Sequence, residues 1–325
     1  MPPDASTSPT TRGFAIALGS AAVLSTTAIF IRHLTETYSL PALVLAFWRD
    51  VFTALTLALI LLIVRPGLLF ARRASLPYLL IFGLVLSFFN SLWTMSVALN
   101  GAAVATVLVY SSAGFTVLLG RLLLKEGLTW YKILAVALTL GGCVLVAGAL
   151  DPAAWRTNLP GILTGLLSGL SYAVYTLMGR SAAQRGINSW TTVLYTFSFA
   201  AVFLLIFNLL PGDFIPASAV QPGDIFWLGE HFAGWGILFL LAAGPTLAGF
   251  GLYNLSLKYL ASGVVNLIVT TEPVFTAVIA YFLLGEQLTF VQILGSLIIL
   301  GGVVLLHIGS RRKNRSRMDL SHPEH

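Results

Sequence analysis

The sequence predicts an all-α polytopic membrane protein, with ten transmembrane helices in two inverted-topology five-helix repeats around a central cavity. Three observations predict it: a composition too apolar for water, ten apolar runs of bilayer-spanning length, and one phrase written twice. Hydrophobic residues make up 57% of the 325 and charged residues only 9%, against roughly 25% charged in ordinary globular domains. Such a chain has too few charges to solvate a surface of its own.

The runs fall at 13–33, 41–64, 75–97, 101–124, 129–149, 160–180, 188–210, 233–255, 259–284 and 288–309. Each comes close to the ~20 residues a helix needs to cross the hydrocarbon. Ahead of the first lies a polar, Pro-rich stretch, 1–12, expected to be disordered and cytoplasmic. The first run is too long for a signal-peptide core and is read as a retained helix. Breakers mark the joints: Leu40-Pro41 before the second run, Arg65-Pro66-Gly67 after it, Asn100-Gly101 before the fourth and Leu159-Pro160-Gly161 before the sixth. The longest connection, Pro211 to about His231, holds three acids and no Lys or Arg. After the last run comes 310–325, with the cluster RRKNRSR from Arg311 to Arg317. A polybasic segment in that place suits a cytoplasmic end lying against anionic lipid. No nucleic-acid partner is expected, because no basic stripe sits on a polar folded domain. The single cysteine, Cys143, lies inside an apolar run and cannot form an intramolecular disulfide.

The balance of Lys and Arg predicts orientation. With the N-terminus in the cytoplasm, fifteen fall inside and only Arg32 and Arg156 outside. The expectation is a multi-pass protein of the inner (cytoplasmic) membrane with both termini cytoplasmic.

The repeated phrase is LLLKEGLTW, ending at Trp130, and YFLLGEQLTF, ending at Phe290. An offset of 160 aligns Glu126 with Glu286 and gives ten identities over the 21 positions from Glu126. The front of each half aligns at 148 instead, pairing Gly13, Ser20 and Arg32 with Gly161, Ser168 and Arg180. The halves are therefore placed at 13–150 and 160–309, five runs each. Five is odd, so the second copy enters the membrane upside down, with Glu126 inside and Glu286 outside. Two similar halves of opposite orientation can exchange conformations and turn a central site from one side to the other. Such a protein is most simply a carrier.

The pattern EPVF…LLGEQLTFVQILGSLIILGGVVL from Glu272 to Leu305, with its degenerate copy SAGF…LLKEGLTWYKILAVALTLGGCVL, resembles the EamA-type carriers of the drug/metabolite transporter (DMT) superfamily. The resemblance covers nearly the whole chain. It implies that helices 1–4 and 6–9 surround the cavity while 5 and 10 sit outside, and that the cargo is a small metabolite, often an exported amino acid or related compound. One departure stands out: where the family usually has Pro in its fourth helix, this chain has Ala113. A weaker bend is expected there.

Glu272 is the sharpest candidate, an ionisable group near the middle of the ninth run with Pro273 beside it. Intramembrane charge is costly and is read by default as functional. Its expected role is a protonatable coupling group or a partner for a cationic solute, against the alternative of a helix-packing hydrogen bond. Arg49 and Asp50 lie about two turns into the second run. Helix neighbours point about 100° apart, so the two are not expected to pair. Arg49 would hold a solute carboxylate or bridge to Glu272; the alternative is an arginine snorkelling to the outer interface.

Helical stripes supply the remaining candidates. They are Thr106, Tyr110 and Ala113 in the fourth run, their counterparts Asn266, Thr270 and Pro273 in the ninth, and Ser168, Tyr172, Tyr175 and Gly179 in the sixth. Asn90 and Trp93 in the third run, and Tyr253 and Asn254 in the eighth, could add amide and aromatic contacts. Glu272 lies about 120° from Asn266 around the ninth run, so the two are not expected to point along one direction, which weakens the picture of a single polar wall. Gly161, Gly165 and Gly169 form a small-residue ridge for close packing, and Glu126 and Glu286 read as structural caps near helix N-termini.

The function expected is secondary transport, as an exporter of small organic metabolites such as amino acids or related compounds, with protons as candidate coupling ions and no cofactor, catalytic residue or metal. No GxxxxGK[ST] phosphate loop is present, which argues against direct ATP hydrolysis. An intramembrane enzyme would want clustered His, Asp and Glu, whereas His33, His231 and His307 are scattered and no HExxH occurs. A sensor or assembly factor lacks an extramembrane domain to relay a signal. Monomer and homodimer are both left open.

Overall fold

The computed structural model describes residues 9–100, 102–146, 159–210, 218–284 and 289–321. Every regular element among them is helical. In chain order they are α1 (Pro9–Leu24), α2 (Thr27–Tyr38), α3 (Ala42–Val64), α4 (Leu76–Asn100), α5 (Ala102–Tyr110), α6 (Ser112–Leu123) and α7 (Trp130–Val146). Then come α8 (Leu159–Gln184), α9 (Ser189–Asn208), α10 (Phe232–Leu241), α11 (Leu247–Tyr259), α12 (Ser262–Val269), α13 (Glu272–Leu284) and α14 (Phe290–Ser321).

Among the described residues seven helical stretches are long and apolar enough to cross a membrane, and Val107–Leu123 and Trp130–Val146 are shorter apolar helices. Large apolar side chains face outward, among them Ile63 at 82%, Phe282 at 76% and Phe290 at 78% exposure. That much exposed hydrocarbon fits a lipid surround and not water. The predicted first, fourth, eighth and ninth runs differ from single helices, and each interruption has a local cause. At the α1/α2 joint, Ser25, Thr26 and Thr27 turn their hydroxyls back onto the carbonyls of Ala22, Val23 and Leu24. Between α10 and α11 a π-helical turn, Ala242–Thr246, accommodates Pro245, which has no N–H to donate. Thr53 Oγ1 on α3 donates to the Ala242 carbonyl at 3.3 Å.

The bend between α5 and α6 does not need the proline that Ala113 replaces. Ser111 N–H reaches only Leu108 O, at 3.2 Å, and Ser111 Oγ donates to the same carbonyl at 2.6 Å. In the ninth run Thr271 does the same to Ile268, at 3.0 and 2.7 Å. Hydroxyl back-bonding of this kind competes with the helical ladder and bends it. A break is therefore present without proline, 160 residues before its counterpart. A correction concerns the N-terminus, where α1 begins at Pro9, inside the segment expected to be disordered through residue 12.

The main packing partners are α7 with α14, α3 with α9, α4 with both α8 and α9, α1 with α11, α8 with α5 and α6, and α6 with α12. Glycines allow the closest approach. A Cβ on Gly142 would lie 2.7 Å from Gly295 O, and one on Gly295 would lie 2.8 Å from Gly142 O, so α7 and α14 meet backbone to backbone. On α8, Gly165 lies against Leu108 and Ser96, and Gly169 against Ser111 and the Leu108 carbonyl. That is the packing role expected of the ridge. The largest core cluster joins α1, α3, α4, α6, α7, α8, α9, α11, α12 and α14.

Candidate functional site

Two polar groups meet inside this core. The first joins α3 to α4. Asp50 is fully buried, and Arg49 pairs with it: Nε and Nη2 each donate to Asp50 Oδ1 at 3.2 Å. Arg49 Nη2 also donates to Asn90 Oδ1 at 3.2 Å, and Asn90 Nδ2 faces Asp50 Oδ2 at 3.4 Å. The expectation that neighbouring residues could not pair is therefore wrong. The 100° rule describes Cβ directions, and the long arginine stem folds back far enough to overcome it. Nor does Arg49 bridge to Glu272; its partners are Asp50 and Asn90.

The second group is a relay across α6, α8, α11 and α12. Ser112 Oγ donates to Asn266 Oδ1 at 3.2 Å, Asn266 Nδ2 donates to Thr176 Oγ1 at 3.2 Å, and Thr176 Oγ1 meets Tyr253 OH at 2.5 Å. Beside it Asn254 Nδ2 donates to Tyr175 OH at 3.1 Å and to Phe250 O at 3.0 Å, while Asn254 Oδ1 is buried without a partner among the described residues. Aromatic rings floor the relay. Tyr172 stacks on Phe89 at 4.9 Å between centroids, and on Tyr175 and Tyr253 at about 6 Å. Tyr110 and Trp93 belong to a neighbouring cluster with Cys143. Thr270 is buried and back-bonds to Leu267 O at 2.6 Å. Thr106 lies on α5, but its side chain is outside the described residues.

Glu272 opens α13, directly after the Thr270–Thr271 break. It is half-buried, and its carboxylate makes no hydrogen bond or ion pair among the described residues. The packing hydrogen bond considered for it is thus not made here. The angle argument separating it from Asn266 also lapses, since α12 and α13 are not one continuous helix.

Glu126 does not cap its own half. Its Oε1 accepts from Ser262 N–H at 2.8 Å and Ser262 Oγ at 2.9 Å, and its Oε2 faces Gly263 N–H at 3.5 Å. It therefore caps α12, in the other half of the chain. Arg180 on α8 holds the neighbouring end of α11, donating from Nη1 to Leu257 O at 2.6 Å and to Lys258 O at 3.3 Å. Glu286 lies outside the described residues.

Sequence reasoning missed Ser112 and Thr176 as site members. The signal for Ser112 was available, because the offset of 160 maps Glu272 onto it. Thr176 follows Tyr172 by one helical turn, on the stripe already drawn.

A family profile described as the EamA-like transporter family matches residues 11–148 and again 159–308. The chain belongs to the EamA family of transporters. Within the drug/metabolite transporter superfamily, this membership points to a membrane transporter and not to an enzyme. The threonine/homoserine exporter RhtA of Salmonella typhimurium is 31% identical over 251 residues, covering 74% of this chain and 76% of that protein. An Archaeoglobus fulgidus protein named as an uncharacterized transporter is 28% identical over 203 residues, 62% of this chain, and the match spans 66% of its length. A solved structure, titled only as the crystal structure of a protein, superposes with a TM-score of 0.75 at 17% identity and covers 93% of this EamA chain and 98% of its own. That likeness speaks for the fold.

Proposed function

We propose that this EamA transporter is a secondary carrier that exports a small amino-acid-like solute by alternating access between two inverted five-helix halves, with Glu272 as the coupling group. Both termini are cytoplasmic in this reading, and the membrane is the inner one. The observation that carries it is the Glu272 carboxylate, without a hydrogen bond or ion pair among the described residues, at a helix break just after α12, whose Asn266 belongs to a relay that links the two halves. Broken helices at the repeat interface are where carriers of inverted symmetry hold solute and ion.

The chemistry favours a zwitterion. The Glu272 carboxylate, which makes no hydrogen bond or ion pair among the described residues, suits an ammonium group. Arg49 is partly exposed, at 12%, and has donors left over for a carboxylate after pairing with Asp50. The relative named as a threonine/homoserine exporter is in keeping with such a solute. The inverted halves draw support from the equivalent helices α7 and α14, which run antiparallel: Gly142 lies against Gly295 and Ile299, and Gly302 against Ala135 and Thr139.

The test is uptake of radiolabelled amino acids into proteoliposomes under an imposed pH gradient. The wild-type chain should show gradient-driven flux, and Glu272→Gln should reduce it to the level of protein-free vesicles while leaving solute binding measurable. Equal pH dependence in both would remove Glu272 from coupling, and no flux of any solute would end the carrier reading.

A further inference from the structure

Away from the central residues, a cavity of about 260 Å³ opens at the ends of α3, α8, α9 and α11. Arg65, which follows α3, and Lys258, near the end of α11, line it together with Gly186, Asn188, Ser189 and Trp190 of the α8–α9 joint. The polar groups of that joint are occupied. Asn188 Oδ1 accepts from Trp190 N–H at 2.9 Å, and Ser189 Oγ donates to Asn254 O at 3.3 Å. The two cations are not. Neither side chain has a hydrogen bond or ion pair among the described residues, and no carboxylate lines the cavity.

The walls are held firmly enough to keep a shape. Thr191 Oγ1 donates to Leu68 O at 2.8 Å and Tyr195 OH to Leu69 O at 3.0 Å, tying the turn after Arg65 to α9. Arg180 pins the end of α11 through the Leu257 and Lys258 carbonyls. On the membrane side, the last residues of α3 are bare hydrocarbon: Leu62 is 57%, Ile63 82% and Val64 67% exposed. An anion seated between Arg65 and Lys258 therefore has an apolar runway directly beside it, the exposed end of α3 that precedes Arg65.

We infer that this cavity binds a phosphate-bearing anion, and that the geometry suits the headgroup of an anionic phospholipid whose acyl chains lie along the end of α3. Basic pockets between membrane helices take such headgroups by the same attraction. The site does not depend on which solute the carrier moves, and its test does not read transport.

Full-length protein in a neutral detergent would be titrated with short-chain phosphatidylglycerol, short-chain phosphatidylcholine and glycerol phosphate, and bound adducts counted by native mass spectrometry. Phosphatidylglycerol should bind more tightly than phosphatidylcholine. Arg65→Ala with Lys258→Ala should weaken it about 30-fold, the loss of two surface cations. The charge-preserving pair Arg65→Lys with Lys258→Arg should retain it. Arg121→Ala with Lys125→Ala, which removes two exposed cations that do not line the cavity, should change little. If glycerol phosphate binds as tightly as the lipid and is lost with the same pair, the site holds and its ligand is soluble. Equal weakening by both alanine pairs, or none by either, overturns the assignment.

Discussion

Arg49 and Asp50 show how far a single residue's role depends on what stands beside it. Asp50 is fully buried, and its charge is answered by one guanidinium and one amide. Removing one partner of such a pair leaves an uncompensated charge and typically costs ~3–5 kcal/mol. Arg49→Ala should therefore lower thermal stability in detergent sharply. Arg49→Ala with Asp50→Asn should recover most of the loss, because an amide can stay paired with Asn90 without a net charge. Equal instability in the single and double variants would mean that Arg49 stabilises by packing and not by pairing. The sequence displayed both residues, but the pairing was hidden, because backbone geometry sets the start of a side chain and its length sets the end. Glu272 was legible for the opposite reason: a carboxylate in an apolar run is conspicuous whatever surrounds it. That it stands unpartnered could only come from three dimensions.

Among the elements, the four interrupted helices mark the limit of reading by hydropathy. The apolar runs located them well, since burial in lipid is written residue by residue. Their breaks were not written that way. Ser111 and Thr271 interrupt the ladder with hydroxyls that look, in sequence, like any other small polar group on a helix. Short α12 comes to depend on a support from outside its own half, the Glu126 carboxylate on its first N–H groups. Hydrogen bonds to a charged acceptor are worth ~1.5–3 kcal/mol. Losing about 2 kcal/mol of support for one conformation shifts its population roughly 30-fold. Val117 on α6 abuts Gly263 on α12 and is buried, so a cysteine there reports whether the two helices part. In a Cys143→Ser background, Glu126→Ala should raise the maleimide reactivity of Val117→Cys by a similar factor. Unchanged reactivity would make Glu126 a static cap, with no part in opening this face.

For the whole molecule, the decisive question is whether the halves face opposite ways, since a carrier of this design needs them to. The doubled phrase and an odd number of runs per half predict that orientation. Native Cys143 is buried in α7, so its replacement by serine leaves a clean background for labelling. Four exposed positions then divide the possibilities: Ser39 between α2 and α3, Gln184 at the end of α8, Lys125 in the first copy of the phrase, and Thr289 in the second. On intact cells an impermeant maleimide should label Ser39→Cys and Thr289→Cys at once. Lys125→Cys and Gln184→Cys should react only after the membrane is permeabilised, because they fall on the side that carries most of the Lys and Arg. The pair at Lys125 and Thr289 bears most of the weight. If both react from one side, the copies share an orientation, the halves cannot exchange conformations by symmetry, and alternating access would have to be built from some other motion.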